Sequence, residues 1–222
     1  MDDAHSEAEN FAFNNVSDRT GNKERRYKKI MNIQHILSVC TFAAFVAVVL
    51  IRAAIMRNNG IKALVFGATD KSDFLLVPVV LSIAYTVLAN TFDLPIWEPL
   101  IRPFWENIIP GWIGLGLCGL AIFGFILTLI SFGNSFRVGI DAKTPNELVT
   151  TGMFAISRNP IYVCFLLFFI GLFLIHNNIV IAIAVVLFAL TIHRQVLREE
   201  KFLKSYYGNE YDVYCWKVRR YL

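Results

Sequence analysis

Charge is what this 222-residue sequence has least of: Asp, Glu, Lys and Arg together make up 17% of it, against 56% hydrophobic residues. That balance is too apolar for an ordinary water-soluble domain of this length. Four stretches, Ile30–Ile51, Phe74–Phe92, Asn107–Phe136 and Asn159–Ile192, contain no Asp, Glu, Lys or Arg at all. Pumps, ion-coupled transporters and voltage sensors typically need ionisable groups at depth, so runs without them disfavour those functions. Cysteine is sparse too. Cys40, Cys118, Cys164 and Cys215 show no metal-binding or redox spacing, and three of them fall inside apolar runs, where a thiol behaves as a small hydrophobe. No metal site is expected. Residues 1–29 lack an apolar core, so no secretory signal peptide is expected there, and the chain shows no internal repeat. The net charge of +4 comes without a basic surface interleaved with aromatics, which argues against nucleic acid and suits anionic lipid headgroups.

What is present is long apolar runs. A helix crosses the hydrocarbon layer with about 20 residues, so each of the first three stretches reads as one crossing. The fourth, residues 159–192, would make a helix of about 50 Å, and the polar triplet His176, Asn177, Asn178 lies at its middle. A tight helical hairpin is expected there. The expected fold is therefore all-α: a multi-pass transmembrane bundle of about five helices closing on a C-terminal hairpin. The segments read as a polar, disordered tail at 1–29, N-terminal transmembrane helices at 30–106, and a core at 107–222. The tail ends in a basic cluster, Lys23 to Lys29, suited to headgroups.

Five crossings put the loop 53–73 with the adjoining Arg52, residues 133–158 and residues 194–222 on one side, with fourteen Lys and Arg against seven on the other. The positive-inside tendency places that side in the cytoplasm, although the basic cluster of the tail opposes it. Trp97, Trp105 and Trp112 flank the third crossing, where an indole anchors well at the headgroup level.

The polar residues that could carry chemistry lie in two blocks that the hairpin brings together. The first runs through Thr151, Gly152, Met153 and Phe154 to Arg158, Asn159, Pro160, Ile161 and Tyr162. Pro160 fits the first turn of a helix and Asn159 its N-cap, while Gly152 permits a tight turn nearby. Free N–H groups at such an entrance suit carboxylate or ribose oxygens, although the same residues serve equally well as a plain cap and a positive-inside stop. The second block runs from Arg194 through Glu199 and Glu200 to Tyr207, as a polar helix with Gly208 as its stop. Its two carboxylates can pair with Lys201 and Lys204 along a solvated face, or one can turn inward to meet a ligand's ammonium.

Four features in order, namely Leu148 to Phe154, the Arg-Asn-Pro-Ile-Tyr run at 158–162, the apolar hairpin, and Glu-Glu followed by Tyr-Gly-Asn-Glu-Tyr at 199–211, resemble the isoprenylcysteine carboxyl methyltransferase family and its prokaryotic relatives over roughly residues 110–218. The resemblance implies S-adenosylmethionine as cofactor, in a cytoplasmic pocket. Asn146, Glu147, Leu148, Val149, Phe154, Asn159, Pro160, Ile161 and Tyr162 would line it, and Glu199 would receive the amino group. It also implies a lipophilic or lipidated acceptor in contact with membrane lipids, met by Gln195, Arg194 and Arg198. The chain departs from the family where Asn159 replaces His, Phe154 replaces Tyr and Gln195 replaces Arg. Gln195 leaves the acceptor open among prenylcysteine-like carboxylates and other lipophilic thiols, amines or carboxylates, with Arg194 and Arg198 expected to face elsewhere on the helix. No catalytic base is assigned. Two alternatives remain: an NADPH-dependent sterol-type reductase, whose closing segment Tyr211–Leu222 resembles, and a non-enzymatic membrane scaffold.

Overall fold

The computed structural model describes residues 2–58, 76–132 and 148–222, with side chains from residue 21 onward. The elements are α1 (Asp2–Asn58), α2 (Leu76–Phe92), α3 (Glu98–Ile101), α4 (Ile109–Phe132), a 3-10 turn (Gly152–Ala155), α5 (Pro160–His176), α6 (Ile179–Tyr207) and α7 (Asn209–Lys217). The bundle is all-helical, with no strand among the described residues. Residues 2–29, expected as a disordered tail, instead continue α1. No proline precedes Pro78, and the Glu, Ala, Lys and Arg of this stretch are good helix formers that extend the helix begun in the apolar run. Glu24 and Lys28 add an ion pair one turn apart, at 2.9 Å.

Among the described residues three helices are long and apolar enough to cross a membrane: Gly21–Asn58 of α1, α4 and α6. The chain is an integral membrane protein. Helices α2 and α5 have 17 residues each, about 25 Å, somewhat less than the roughly 30 Å hydrocarbon layer. Leu50, Ile51, Leu81, Leu120, Phe123, Ile130 and Leu190 are exposed on the outside of the bundle, the arrangement expected where lipid is the solvent.

On α4 the buried positions are Gly111, Gly114, Cys118, Ala121, Phe125, Thr128 and Leu129, the three-and-four spacing of a helix face. This stripe meets α5 at glycine. A Cβ on Gly114 would lie 2.4 Å from the Gly171 carbonyl oxygen, and one on Gly171 would lie 2.7 Å from that of Gly114. Small residues let helix backbones approach where lipid offers no hydrophobic drive for association, and dispersion gained at close range takes its place. Nearer the bundle centre, Phe45 of α1 stacks on Phe168 of α5 at 4.3 Å, and Phe169 meets Phe188 of α6 edge-on at 4.6 Å.

The expected hairpin is present. Asn177 takes the left-handed conformation (φ 30°) that ends α5, and the Asn178 side chain accepts from Ile181 N at 3.1 Å to cap α6. His176 is buried and ties this end of the bundle together. Ser38 Oγ donates to His35 O at 2.6 Å, so it accepts from His176 Nε2 at 2.8 Å, while Nδ1 of the same ring accepts from Asn90 Nδ2 at 3.3 Å. Helices α1, α2 and α5 are thereby joined through one neutral imidazole.

At the other end α6 runs unbroken from the bundle to Tyr207. Gly208 (φ 54°) then turns the chain, as expected of a helix stop, and α7 packs back onto α6.

Candidate active site

The site lies at the open end of the hairpin, where the turn before α5, the outer part of α6 and the strap after α7 converge. Gly152 begins it. Its φ of 62° favours glycine, and a Cβ there would lie 2.3 Å from Ser131 Oγ, so the turn sits directly on the end of α4. Met153 N donates to that same hydroxyl at 3.1 Å. Phe154 is buried, edge-on to Phe132 at 4.7 Å, and its carbonyl accepts from Tyr214 Oη at 2.6 Å. Burial pushes the Tyr214 phenol up to about 12, so it stays a neutral donor.

The strap at 218–222 closes the entrance of α5. Arg158 N donates to Arg219 O at 3.0 Å, and Asn159 Nδ2 donates to Arg220 O at 3.1 Å. Asn159 does occupy the N-cap position ahead of Pro160, but its side chain makes no cap hydrogen bond. The amide is committed to the strap, and Ser157 Oγ accepts from Asn159 N at 3.1 Å in its place.

The adjacent carboxylates of α6 separate into two tasks. Glu199 turns toward α5: its Oε1 accepts from Tyr162 Oη at 2.7 Å and from Gln195 Nε2 at 2.9 Å. Gln195 Oε1 in turn accepts from an Arg198 guanidinium nitrogen at 2.6 Å. Arg198, expected to face away, is therefore part of the same chain of hydrogen bonds, because a three-residue step keeps it beside Gln195 on the helix surface. Arg194 is exposed. Glu200 meets two cations, Arg220 at 2.8 Å and Arg158 at 3.3 Å, with only 12% of its side chain exposed. Its hydrogen bond raises the Arg220 pKa further. Cys215 Sγ also contacts the Arg158 guanidinium. Neither carboxylate takes up the solvated pairing with Lys201 or Lys204; Lys204 pairs with Asp212 at 2.9 Å instead.

Among the other expected cofactor residues, Asn146 and Glu147 lie outside the described residues. Leu148 packs against the small core of Tyr211, Tyr214 and Val218, and Val149 beside it is half-buried. Pro160 is fully buried, and Ile161 and Tyr162 pack against the main core from its rim. Sequence reasoning placed Glu200 in the second block without pairing it with Arg158 or Arg220, and did not make Arg220, Ser131, Ser157 or Tyr214 site residues. Apart from the Ser157 to Asn159 bond and the Ser131 hydroxyl's bond to Leu127 O, the contacts that bring them here span 20 or more residues, and local spacing carries no signal of such pairs. No group of three or more His, Cys, Asp or Glu is placed to hold a metal among the described residues.

This arrangement, a helical membrane bundle with a half-buried carboxylate held against a tyrosine at the mouth of a hairpin, defines a class of integral membrane protein with a polar site at one end of its helices. Comparison with known proteins shows what it is similar to. Residues 109–210 match the phospholipid methyltransferase family. Over 116 residues the chain is 32% identical to protein-S-isoprenylcysteine O-methyltransferase B of Arabidopsis thaliana, covering 48% of this chain and 57% of that one. A probable protein-S-isoprenylcysteine O-methyltransferase of Oryza sativa subsp. indica is 25% identical over 145 residues, 63% of this chain and 72% of that one. The nickel-cobalt-cadmium resistance protein NccN of Alcaligenes xylosoxydans xylosoxydans is 30% identical over 128 residues, 54% of this chain and 59% of that one. The chain spans 59% and 57% of the lengths of NccN and the Arabidopsis enzyme respectively. Through residues 109–210 it is similar to membrane methyltransferases of the isoprenylcysteine and phospholipid type.

Proposed function

We propose that this protein is an S-adenosylmethionine-dependent methyltransferase that binds its cofactor at the hairpin mouth and methylates a lipophilic acceptor reached from the bilayer. The observation that carries the reading is the Tyr162–Glu199 pair, at 2.7 Å, within the region that matches the family. Residues 107–222 would form the catalytic core, opening on the cytoplasmic side favoured by the count of positive loop residues.

The chemistry of the donor set fits the cofactor. A carboxylate aimed inward from α6 suits an ammonium, and the donors Tyr162 and Gln195 fix its orientation beforehand. Leu148, Val149, Phe154 and Ile161 would supply the apolar part of the lining, with Asn146, Glu147, Asn159 and Pro160 completing it. S-adenosylmethionine supplies an electrophilic methyl group on a sulfonium. The part left to this chain is positioning: Glu199 and Tyr162 hold one reactant, the bundle keeps water from the lipid side, and Gln195 with Arg198 orients Glu199 while facing the acceptor.

Two observations weigh against a nicotinamide reductase. A phosphate-rich dinucleotide calls for available guanidinium groups, and Arg220 already has its fork on Glu200, with hydrogen bonds of 2.9 Å and 2.8 Å. The inward carboxylate Glu199 would repel phosphate.

Calorimetric binding to detergent-purified protein tests the reading. S-adenosylmethionine should bind in the micromolar range, and Glu199→Gln should weaken it tenfold or more, about 1.4 kcal/mol. Binding of reduced nicotinamide dinucleotide alone would replace the proposal with the reductase. Binding of neither, by folded protein, would leave a scaffold.

A further inference from the structure

The segment after Gly208 returns toward the membrane. Three contacts set its direction: Asp212 to Lys204 at 2.9 Å, Arg220 to Glu200 at 2.8 Å, and Tyr221 Oη to His193 Nδ1 at 2.8 Å. Numbers rise along α7 and the strap while they fall along α6, so this segment descends beside α6. The rise from Ile179 to Glu199 is about 30 Å, the thickness of the hydrocarbon layer. Glu199 and Glu200 therefore stand near the lipid boundary, and residues 213–219, between the Lys204 and Glu200 levels, stand in the headgroup layer just beyond it.

Helix α7 is sided at that depth. Tyr211 and Tyr214, followed by Val218, are buried against the protein. On the opposite face Val213 is 44% exposed and Trp216 90% exposed, flanked by exposed Lys217 and Arg219. The Arg158–Arg219 backbone bond brings the preceding turn alongside, where Ile156 is 58% exposed. An indole bared to water is costly, whereas at the headgroup level its apolar body and N–H donor are both satisfied.

We propose that the outer face of α7 is an interfacial foot: Val213 and Trp216 seat in the headgroup layer of the bilayer the helices span, and Lys217 and Arg219 meet the phosphates of anionic lipids. The depth set by α6 and the complementary charge of Lys217 and Arg219 select the bilayer as occupant. The foot sets the depth of the strap, and through it the depth of the α5 entrance. This rests on the membrane placement alone and is independent of any methyl transfer.

The test uses the full chain in nanodiscs of phosphatidylcholine with a minor fraction of phosphatidylglycerol. The emission difference between the wild type and Trp216→Phe isolates Trp216; at 90% exposure the change leaves packing untouched. Lipids brominated near the headgroup end of the acyl chain should quench this component about twofold, and aqueous iodide should reach it poorly. Lys217→Gln with Arg219→Gln, or omission of phosphatidylglycerol, should reduce the bromolipid quenching. Iodide quenching at the rate of free indole without a bromolipid effect overturns the proposal. So does shielding from both quenchers that appears only in discs holding two copies, which would assign the face to a second copy of the chain.

Discussion

Replacing Glu200 with glutamine removes one negative charge from between two guanidinium groups. Glu200 and Arg158 each leave only 12% of the side chain exposed, so breaking this pair falls in the class of buried ion pairs that lose a partner, where the cost is about 3–5 kcal/mol. Arg220 is different: 38% of its side chain is exposed, and its share is screened by solvent toward the surface range of about 1 kcal/mol or less. The 3.3 Å separation to Arg158 is also longer than a good charge-assisted hydrogen bond. Together these place Glu200→Gln at about 2–4 kcal/mol and Arg220→Gln at about 1 kcal/mol, with the double variant costing less than the sum because both remove the same contact. Unfolding by graded denaturing detergent in mixed micelles reads all three variants, and limited proteolysis after residue 217 reads release of the strap directly. Single variants within about 0.5 kcal/mol of the wild type that add without coupling would refute the view that this ion-pair group fastens the strap.

Other expectations follow from packing and titration. Gly171→Ala drives a Cβ to 2.7 Å from both Cys118 Sγ and the Gly114 carbonyl, so it should destabilise by about 1–3 kcal/mol, whereas Gly116→Ala, with nothing within 4 Å, should be neutral or mildly stabilising; equal thermal shifts for the two would contradict the close α4–α5 approach. Tyr162→Phe should leave the fold intact and weaken S-adenosylmethionine binding several-fold by removing one of the donors that orient Glu199, measured by the same calorimetry. The Tyr214 phenol titrates near 10 when unfolded and about 12 when folded, so the stability it contributes is fully present below pH 10 and is lost as pH rises toward 12; Tyr214→Phe should flatten that alkaline limb of the unfolding curve.

The hairpin was legible because its turn interrupts an apolar run too long for one crossing, and the residues there act as their chemistry suggests: Asn177 adopts a positive φ and Asn178 caps. The inward turn of one carboxylate was legible as an alternative to solvent pairing, and Glu199 takes it. Asn159 shows where local reasoning stops. Its capping propensity was read correctly from the residue before Pro160, yet a carbonyl 61 residues onward captures its amide. The same holds for Arg220 and Glu200, since no periodicity links a strap to a helix across a turn. Composition misled at residues 2–29, where a charged, polar stretch without proline reads as disorder but is equally able to prolong a helix.

The backbone bond between Arg158 and Arg219 also bears on the order in which the protein is made. Helices α4 and α5 can meet through Gly114 and Gly171 as soon as both have been released into the bilayer, since that contact uses nothing beyond residue 176. The mouth of the hairpin cannot be finished then, because the carbonyls of residues 219 and 220, which accept from Arg158 N and the Asn159 side chain, have yet to be translated. Membrane insertion and assembly of the polar site are thus separate events in time, and a ribosome stalled shortly before residue 219 would leave an inserted bundle whose site is still open.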